Sequence, residues 1–464
     1  MSGGAESSRR TPVAGPGARS DDARRRIFKA YDIRGLYGKE LDEDLAERIG
    51  RATAIHLKAR SLLVSRDMRT SSESLADAVI RGVRSAGCDV LDAGLISTDA
   101  NYFAIAFYRQ SGGVQVTASH NPPEYNGFKI SREEAIPMSY ETGLAEIERL
   151  SLGPQPSAAK RQGRIMQKDI VPDWASHVLK FARGIAPLTV AIDAANGMAG
   201  KMLPPVLKHL PIRPHCLYFE LDGTFPHHEA NPLKPENLAD LQEVVRATKA
   251  DLGAAYDGDA DRCILVDETG APVPSDLLTA LFAGHLLRRH GPSAIVYDIR
   301  SSRVVAEEIR KYGGTPIRER VGHSFMKAAL RRHNAIMGGE LSGHFYWREN
   351  FFADSGVIAM IEALNIISET GQPLSRLLQP LRRYHATGEI NFDVEDKAAK
   401  IEEIARAFSD GKQDRLDGLT VEYDRWWFNI RPSNTEPKLR LNLEAETAEL
   451  MEAKKAEVIR VIRA

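Results

Sequence analysis

Three times along this chain of 464 residues, a short apolar run ends abruptly in a loop of small and polar residues. GVQVTAS runs into Ser119, DLGAAYD ends at Asp257, and NAIMGGELSGH (334–344) carries its own Gly-rich loop. Helical patterns separate such runs, which is the βα rhythm of sheets covered by helices. That rhythm fixes an α/β fold class and puts the reactive residue types where strands end. It also points to a repeated αβ unit, although residue identity between the units is too low to establish it.

The local patterns fit this reading. SLLVSRD (61–67) is expected as a buried strand, and Thr70 with Glu73 as a capping box. Leu75, Val79 and Val83 follow at helical spacing until Gly87 ends the helix. LTVAIDAANG (188–197) and HCLYFELDG (215–223) read as strands, before a helix over 236–250 with Leu238, Leu241 and Val245 on one face. A third unit holds SAIVYDIRSS and TPIRERVGHS. From about residue 386 the pattern changes to strand, helix, three strands and a closing helix, which is a small α+β domain.

Length allows three or four domains. The formal net charge of -1 gives no global pull towards nucleic acid or an anionic membrane. No stretch reaches the ~20 apolar residues of a membrane span. Cys88, Cys216 and Cys263 are odd in number and show no zinc or CxxC spacing, so a reducing, cytoplasmic setting is expected. The Gly-, Ser-, Pro- and Arg-rich residues 1–26 have no apolar segment of a secretory signal and read as a disordered extension.

Asp257, Asp259 and Asp261 in DGDADR offer alternate carboxylates to one centre, an all-oxygen set suited to Mg²⁺. A calcium hand would place Glu268 twelfth, but Arg262 fills the sixth place, where the sharp turn demands Gly. A solvated acidic turn is the plainer alternative. Arg262 would be available to a phosphoryl oxygen. Ser119 in TASHNP is by itself as good a turn or cap residue as a nucleophile, and its neighbour His120 is badly placed by sequence for a Ser–His pair. Lys129 would shuttle protons if burial lowered its pKa, and is otherwise a strand-edge lysine. Glu340, Ser342 and His344 alternate in GGELSGH and could bridge vicinal sugar hydroxyls, or simply form a polar turn. His323 in VGHS is either an acid/base near neutrality or a helix-cap neighbour. Arg431, Ser433, Asn434, Thr435 and Arg440 gather in RPSNTEPKLR, which suits a dianionic phosphate better than a plain hairpin entry does.

As an ordered set, FKAYDIRG, TASHNP, YNGFK, DGDADR, VGHSFMK, GELSGH and RPSNTEPKLR resemble the α-D-phosphohexomutase superfamily, particularly its bacterial phosphomannomutase/phosphoglucomutase members, from Phe28 to the C-terminus. The resemblance implies three similar mixed-sheet αβ domains (27–165, 166–272, 273–384) and a smaller α+β domain (385–464) around one central cleft. It implies that Ser119 carries the phosphoryl group and joins Asp257, Asp259 and Asp261 in holding one Mg²⁺. Lys129 and His323 match the proposed proton shuttles, and Arg262 sits beside the metal. Glu340 and Ser342 would hold O3 and O4, with His344 completing that loop. Arg431, Ser433, Asn434, Thr435 and Arg440 would grip the non-reacting phosphate, and Tyr31 and Arg34 would line the cleft. His120, Arg300 and Gly322 are expected among the substrate contacts. The implied reaction interconverts hexose 1-phosphate and hexose 6-phosphate through a hexose 1,6-bisphosphate, which also primes the serine. Sugar phosphates are thus the expected partners, with neither nucleic acid nor membrane, in a monomer or weak dimer.

Two positions depart from the family pattern. HHEANP (227–232) stands where an N-H-H-P-N-P-like run is common, and Arg300 where some relatives carry lysine. Leu341 occupies the place where glucosamine mutases usually have Gln, which favours mannose or glucose. A glucosamine-type mutase and an Mg²⁺-dependent sugar phosphatase are the rival readings.

Overall fold

The computed structural model describes residues 23–433 and 438–464. The first sheet contains β1 (Ile33–Leu36), β2 (Ser61–Arg66), β3 (Asp89–Leu95), β4 (Gly112–Val116), β5 (Tyr125–Arg132) and β6 (Ile165–Gln167). The second contains β7 (Leu188–Asp193), β8 (Ile212–Leu217), β9 (Leu252–Tyr256) and β10 (Cys263–Val266). The third contains β11 (Ala294–Asp298), β12 (Thr315–Glu319), β13 (Met337–Gly339), β14 (Phe345–Trp347) and β15 (Ala353–Asp354). The fourth contains β16 (His385–Ala386), β17 (Ile390–Asp393), β18 (Lys412–Asp414), β19 (Leu419–Glu422), β20 (Trp426–Pro432) and β21 (Lys438–Ala445).

The repeat that sequence identity leaves open is plain in the topology. The orders β5-β4-β2-β3, β10-β9-β7-β8 and β14-β13-β11-β12 are one pattern. In each, the first strand lies parallel between the second and third, and the fourth turns back antiparallel on the third. The turn from third to fourth strand therefore has the same address in all three sheets. It carries Ser119 in the first, Asp257–Arg262 in the second and Glu340–His344 in the third. These are the carboxyl ends of parallel strands, where open α/β sheets present their ligands.

The fourth sheet is antiparallel throughout, with helices Lys397–Ala407 and Ala448–Arg463 packed on it. It has its own core around Phe392, Phe408, Trp426 and Phe428, whereas one apolar cluster runs from Leu63 to Leu381 and ties the first three sheets together.

Leu75, Val79 and Val83 are fully buried, as the periodicity requires, on helix Ser72–Ser85. Each such burial is worth about 1.5–3 kcal/mol. The cap differs from expectation. Ser71 is the N-cap and makes no side-chain cap bond, while Ser72 turns back to donate to Asp67. The Thr70–Glu73 box does not form, because Glu73 pairs with Arg66 at 3.2 Å. The strand read at 215–223 instead runs Ile212–Leu217, an edge strand whose mixed exposure hides its start. The first sheet also continues past residue 165, since β6 pairs with β3 through Gln167. Residues 23–26 belong to the fold rather than to an extension: Arg24 pairs with Asp42 at 2.8 Å and Arg25 with Glu148 at 3.1 Å. Among the described residues no helix is long and apolar enough to cross a membrane, and the three cysteines are free.

Candidate active site

The loops after β4 and β9 meet. Ser119 is held at φ 52°, a left-handed conformation that costs a non-glycine residue about 1–3 kcal/mol and marks a positioned side chain. Its Oγ donates to Asp257 Oδ2 at 2.8 Å and lies 3.2 Å from His120 Nδ1. Gly258 makes this approach possible, because a Cβ there would stand 2.5 Å from the Ser119 carbonyl oxygen. Thr98, which opens helix Thr98–Phe107, closes the seam by donating its backbone N–H to the Asp259 carbonyl at 3.0 Å and its hydroxyl to the Asp259 carboxylate.

Asp257, Asp259 and Asp261 are fully buried, with ligand atoms within 4.8 Å of one another. Lys129 Nζ spans two of them, 2.7 Å from Asp259 and 2.6 Å from Asp261. Burial and the other two carboxylates push Asp257 up to about 8, whereas Asp259, although buried, is held low by Lys129. The outer oxygens of Asp259 and Asp261 are buried without a hydrogen-bond partner among the described residues. Converging, uncompensated carboxylate oxygens fit a hard divalent cation, so the residues present suit a metal ion. They do not suit a calcium hand: Arg262 leads directly into β10, and Glu268 accepts from Ser375 N at 3.1 Å.

Lys129 does not have its pKa lowered by burial. Burial opposes its charge, but Asp259 and Asp261 outweigh that and raise its pKa well above the ordinary value. The neutral bases are histidines. Burial, with Lys327 and Lys129 nearby, drives His323 far down, and burial with Arg262 and Arg34 does the same to His120. Both ring nitrogens of His323 are buried without a partner among the described residues. His323 opens helix His323–Arg332 after Gly322, whose φ of 134° lets it lie against Tyr31. The Tyr31 and His323 rings meet edge-on at 5.2 Å.

The third loop joins through Arg262, whose Nε lies 3.1 Å from His344 Nε2. His344 Nδ1 contacts Asp354 at 2.7 Å, and Asp354 also binds the fully buried Lys327 at 2.7 Å. Glu340 accepts from Ser342 at 3.3 Å and from Tyr346. Asp298 fixes this loop by accepting from Leu341 N at 2.8 Å while holding Arg300 at 2.8 Å. The fourth domain enters through Arg431, which is buried and held below its ordinary pKa by burial and by Arg300. Ser433 is buried beside it; Asn434 and Thr435 lie outside the described residues.

Several residues at this centre were not singled out by the sequence patterns. Arg69, with no exposed side-chain surface, donates to the carbonyls of Ser119 (2.9 Å), Asn121 (2.6 Å), Pro122 (2.8 Å) and Tyr125 (3.0 Å). Arg34 adds a bond to Asn121 Oδ1 at 2.6 Å. Glu389 binds Arg431 at 2.7 Å and Arg440 at 3.2 Å, with Arg300 at 3.9 Å. An SRDMR segment at a strand end is the one signal that could have exposed Arg69. The HHEANP loop has a packing role: His227 stacks on Tyr218 at 3.9 Å, and His228 pairs with Asp193 at 3.0 Å.

The chain is similar to known proteins over nearly its whole length. The four phosphoglucomutase/phosphomannomutase family models match in order: alpha/beta/alpha domain I at 25–153, domain II at 172–270, domain III at 274–384 and the C-terminal domain at 389–461. A phosphomannomutase of Salmonella montevideo is 38% identical over 450 residues, covering 94% of this chain and 98% of that protein. A crystal structure of a phosphoglucomutase/phosphomannomutase family protein from Burkholderia thailandensis superposes with a TM-score of 0.87 at 33% identity, over 94% of this chain and 97% of that one. The fold extends to an Aspergillus fumigatus N-acetylphosphoglucosamine mutase solved with GlcNAc-6P and magnesium, with TM-score 0.60, 14% identity, and coverage of 97% and 99%.

Proposed function

Because the chain belongs to the phosphoglucomutase/phosphomannomutase family and is a hexose phosphate mutase, an isomerase, we propose that it works through a phosphoserine at Ser119 on mannose and glucose phosphates. The observation that carries this reading is the contact of Ser119 Oγ with Asp257 across two domains, at a strained backbone position.

The phosphoryl group on Ser119 passes to the free hydroxyl of a bound hexose monophosphate. The Ser119 O–P bond breaks and the Ser119 oxygen gains a proton, a P–O bond to the sugar forms, and the sugar hydroxyl loses its proton. His323, neutral and with both nitrogens unclaimed, suits that proton, while Lys129 and Arg262 offset charge on the phosphoryl oxygens. Mg²⁺ held by Ser119, Asp257, Asp259 and Asp261 would supply further charge neutralisation. The resulting 1,6-bisphosphate turns over and returns its other phosphoryl group to Ser119. The same bisphosphate primes the enzyme.

Glu340 and Ser342, with His344 beside them, are assigned to the sugar hydroxyls. Tyr31, Arg34, His120, Arg300 and Gly322 line the cleft, and Arg431, Ser433, Asn434, Thr435 and Arg440 take the second phosphate. Buried Arg431 and its cluster of cations support that assignment. The proposed division stays at 165, 272 and 384, although β6 carries the first sheet to Gln167. Sugar phosphates such as the one bound by the Aspergillus enzyme are the expected ligands, and a cytoplasmic monomer or weak dimer agrees with the free thiols and balanced charge.

A coupled assay tests both parts. Mannose 1-phosphate and glucose 1-phosphate are expected to turn over at comparable rates, and Ser119→Ala to lose orders of magnitude with each. A strong preference for glucosamine 6-phosphate would overturn the sugar assignment. Steady release of inorganic phosphate by Ser119→Ala would replace the serine mechanism with aspartyl hydrolysis.

A further inference from the structure

Behind the catalytic face, between the first and third sheets, lies a cavity of about 490 Å³, within the size range of small-molecule sites. Arg60, Arg109, Arg331 and Arg348 converge on it, and Phe351 and Phe352 form its apolar wall. None of these four arginines makes a salt bridge among the described residues, although arginines elsewhere in the molecule pair repeatedly with carboxylates. Arg331 is the most telling. Burial brings its pKa down to about 10, and its guanidinium donates to the carbonyl oxygens of Glu134 at 2.8 Å, Phe351 at 2.8 Å and Lys327 at 3.3 Å. Its charge also lies 5.3 Å above the Phe352 ring.

Glu133 and Glu134 share the lining, so four cations face two anions. Neither carboxylate comes within ion-pair reach of the arginines, and the excess charge stays positive. The walls are also conformationally costly. Arg109, Glu134, Phe351 and Phe352 all hold positive φ, between 52° and 59°. Non-glycine residues in that region tend to cluster where a ligand is clamped.

We propose that this cleft binds a small diphosphate-bearing compound, its charges taken by Arg60, Arg109, Arg331 and Arg348 and its body lying against Phe351 and Phe352. Planar guanidinium groups match phosphate oxygens in pairs, and a cluster of four with two carboxylates in the lining and neither at ion-pair distance keeps capacity for an external anion. The site is separate from the loops described above. It nevertheless touches their support: Arg331 closes the helix that begins at His323, and Phe352 lies two residues before Asp354, the partner of His344.

The test is calorimetric titration of the full chain with inorganic pyrophosphate and with ADP, in EDTA and with saturating glucose 6-phosphate to fill the catalytic cleft. The pyrophosphate arm shows whether the diphosphate alone suffices, and the ADP arm whether an aromatic body on Phe351 and Phe352 adds to it. Arg60→Gln/Arg109→Gln changes two exposed residues and is expected to weaken binding by about tenfold or more while leaving basal turnover unchanged. Arg331→Gln, checked for folding by its melting transition, is expected to abolish binding. The proposal is overturned if neither probe binds, or if binding persists undiminished in Arg60→Gln/Arg109→Gln. Loss of binding only on substitution of Arg431 would likewise overturn it, by assigning the heat to the catalytic phosphate clamp. The mutase reading stands or falls independently, since none of these outcomes depends on turnover.

Discussion

The turn after β4 and the turn after β9 share one topological address and are built on opposite principles. The first is a hydrogen-bonded mesh around one ion pair: Arg69 lies 3.4 Å from Asp67 and gathers four carbonyl oxygens, Thr117 donates to Asp67 at 2.7 Å, and the Ser119 hydroxyl is left to reach the second loop. The second is a charge balance, with three buried carboxylates against Lys129 and Arg262. The difference shows that topology decides where a reactive group stands and local electrostatics decides what it does there. The hydroxyl and the carboxylates reach one another across the domain seam.

The largest effect should come from the charged loop. Asp259→Asn removes one of three converging carboxylates and a partner of Lys129. Turnover is expected to fall about 10²–10³-fold, and the Mg²⁺ concentration needed for half-maximal rate to rise. An unchanged metal requirement would break the contrast. Next is the hydrogen-bonded loop. Arg69→Ala leaves four carbonyls and a buried Asp67 without their partner, at a cost of about 3–5 kcal/mol of stability, measured by denaturant unfolding. Here kcat should fall while the metal requirement stays put. The two variants thus separate a loop that holds shape from one that holds charge.

The seam offers a subtler check. Asp99 accepts from the Ser97 hydroxyl and, at 2.7 Å, from Ser355, yet burial raises its pKa to about 7. A carboxyl raised in the folded state favours folding while it is protonated. Its contribution is full below the unfolded value near 4 and is lost as pH rises towards 7. Asp99→Asn should flatten that part of the stability–pH curve, where the wild type loses roughly 2–4 kcal/mol. A wild-type curve rising from pH 4 to 7 with no change in the variant would contradict it. Smallest of all is Glu389→Gln. It frees Arg431 and Arg440 from an internal carboxylate and should lower KM for sugar phosphate a few-fold with little change in kcat.

The sequence made the strand ends legible because the relevant signals are local. Apolar runs, helical spacing at Leu75, Val79 and Val83, and the acidic spacing at Asp257–Asp261 all fit within a few residues. The expected Thr70–Glu73 box does not form because Glu73 pairs with Arg66, a partner that only the folded loop provides. Arg69, Thr98 and Glu389 stayed hidden for a related reason: their partners lie far along the chain and single residues carry no period. The short edge strands β16 and β18, of two and three residues, lack enough pattern to be seen at all. Lys129 is legible as a residue but its proton affinity is not, since two carboxylates more than a hundred positions away raise it.

The account turns on the hydroxyl of Ser119, and its covalent state reports on it directly. Intact-mass and peptide spectrometry after incubation with glucose 1,6-bisphosphate should find one phosphoryl group, on Ser119, which a hexose monophosphate then removes. A phosphoryl group on Asp257, or steady turnover with Ser119 unmodified throughout, would contradict it.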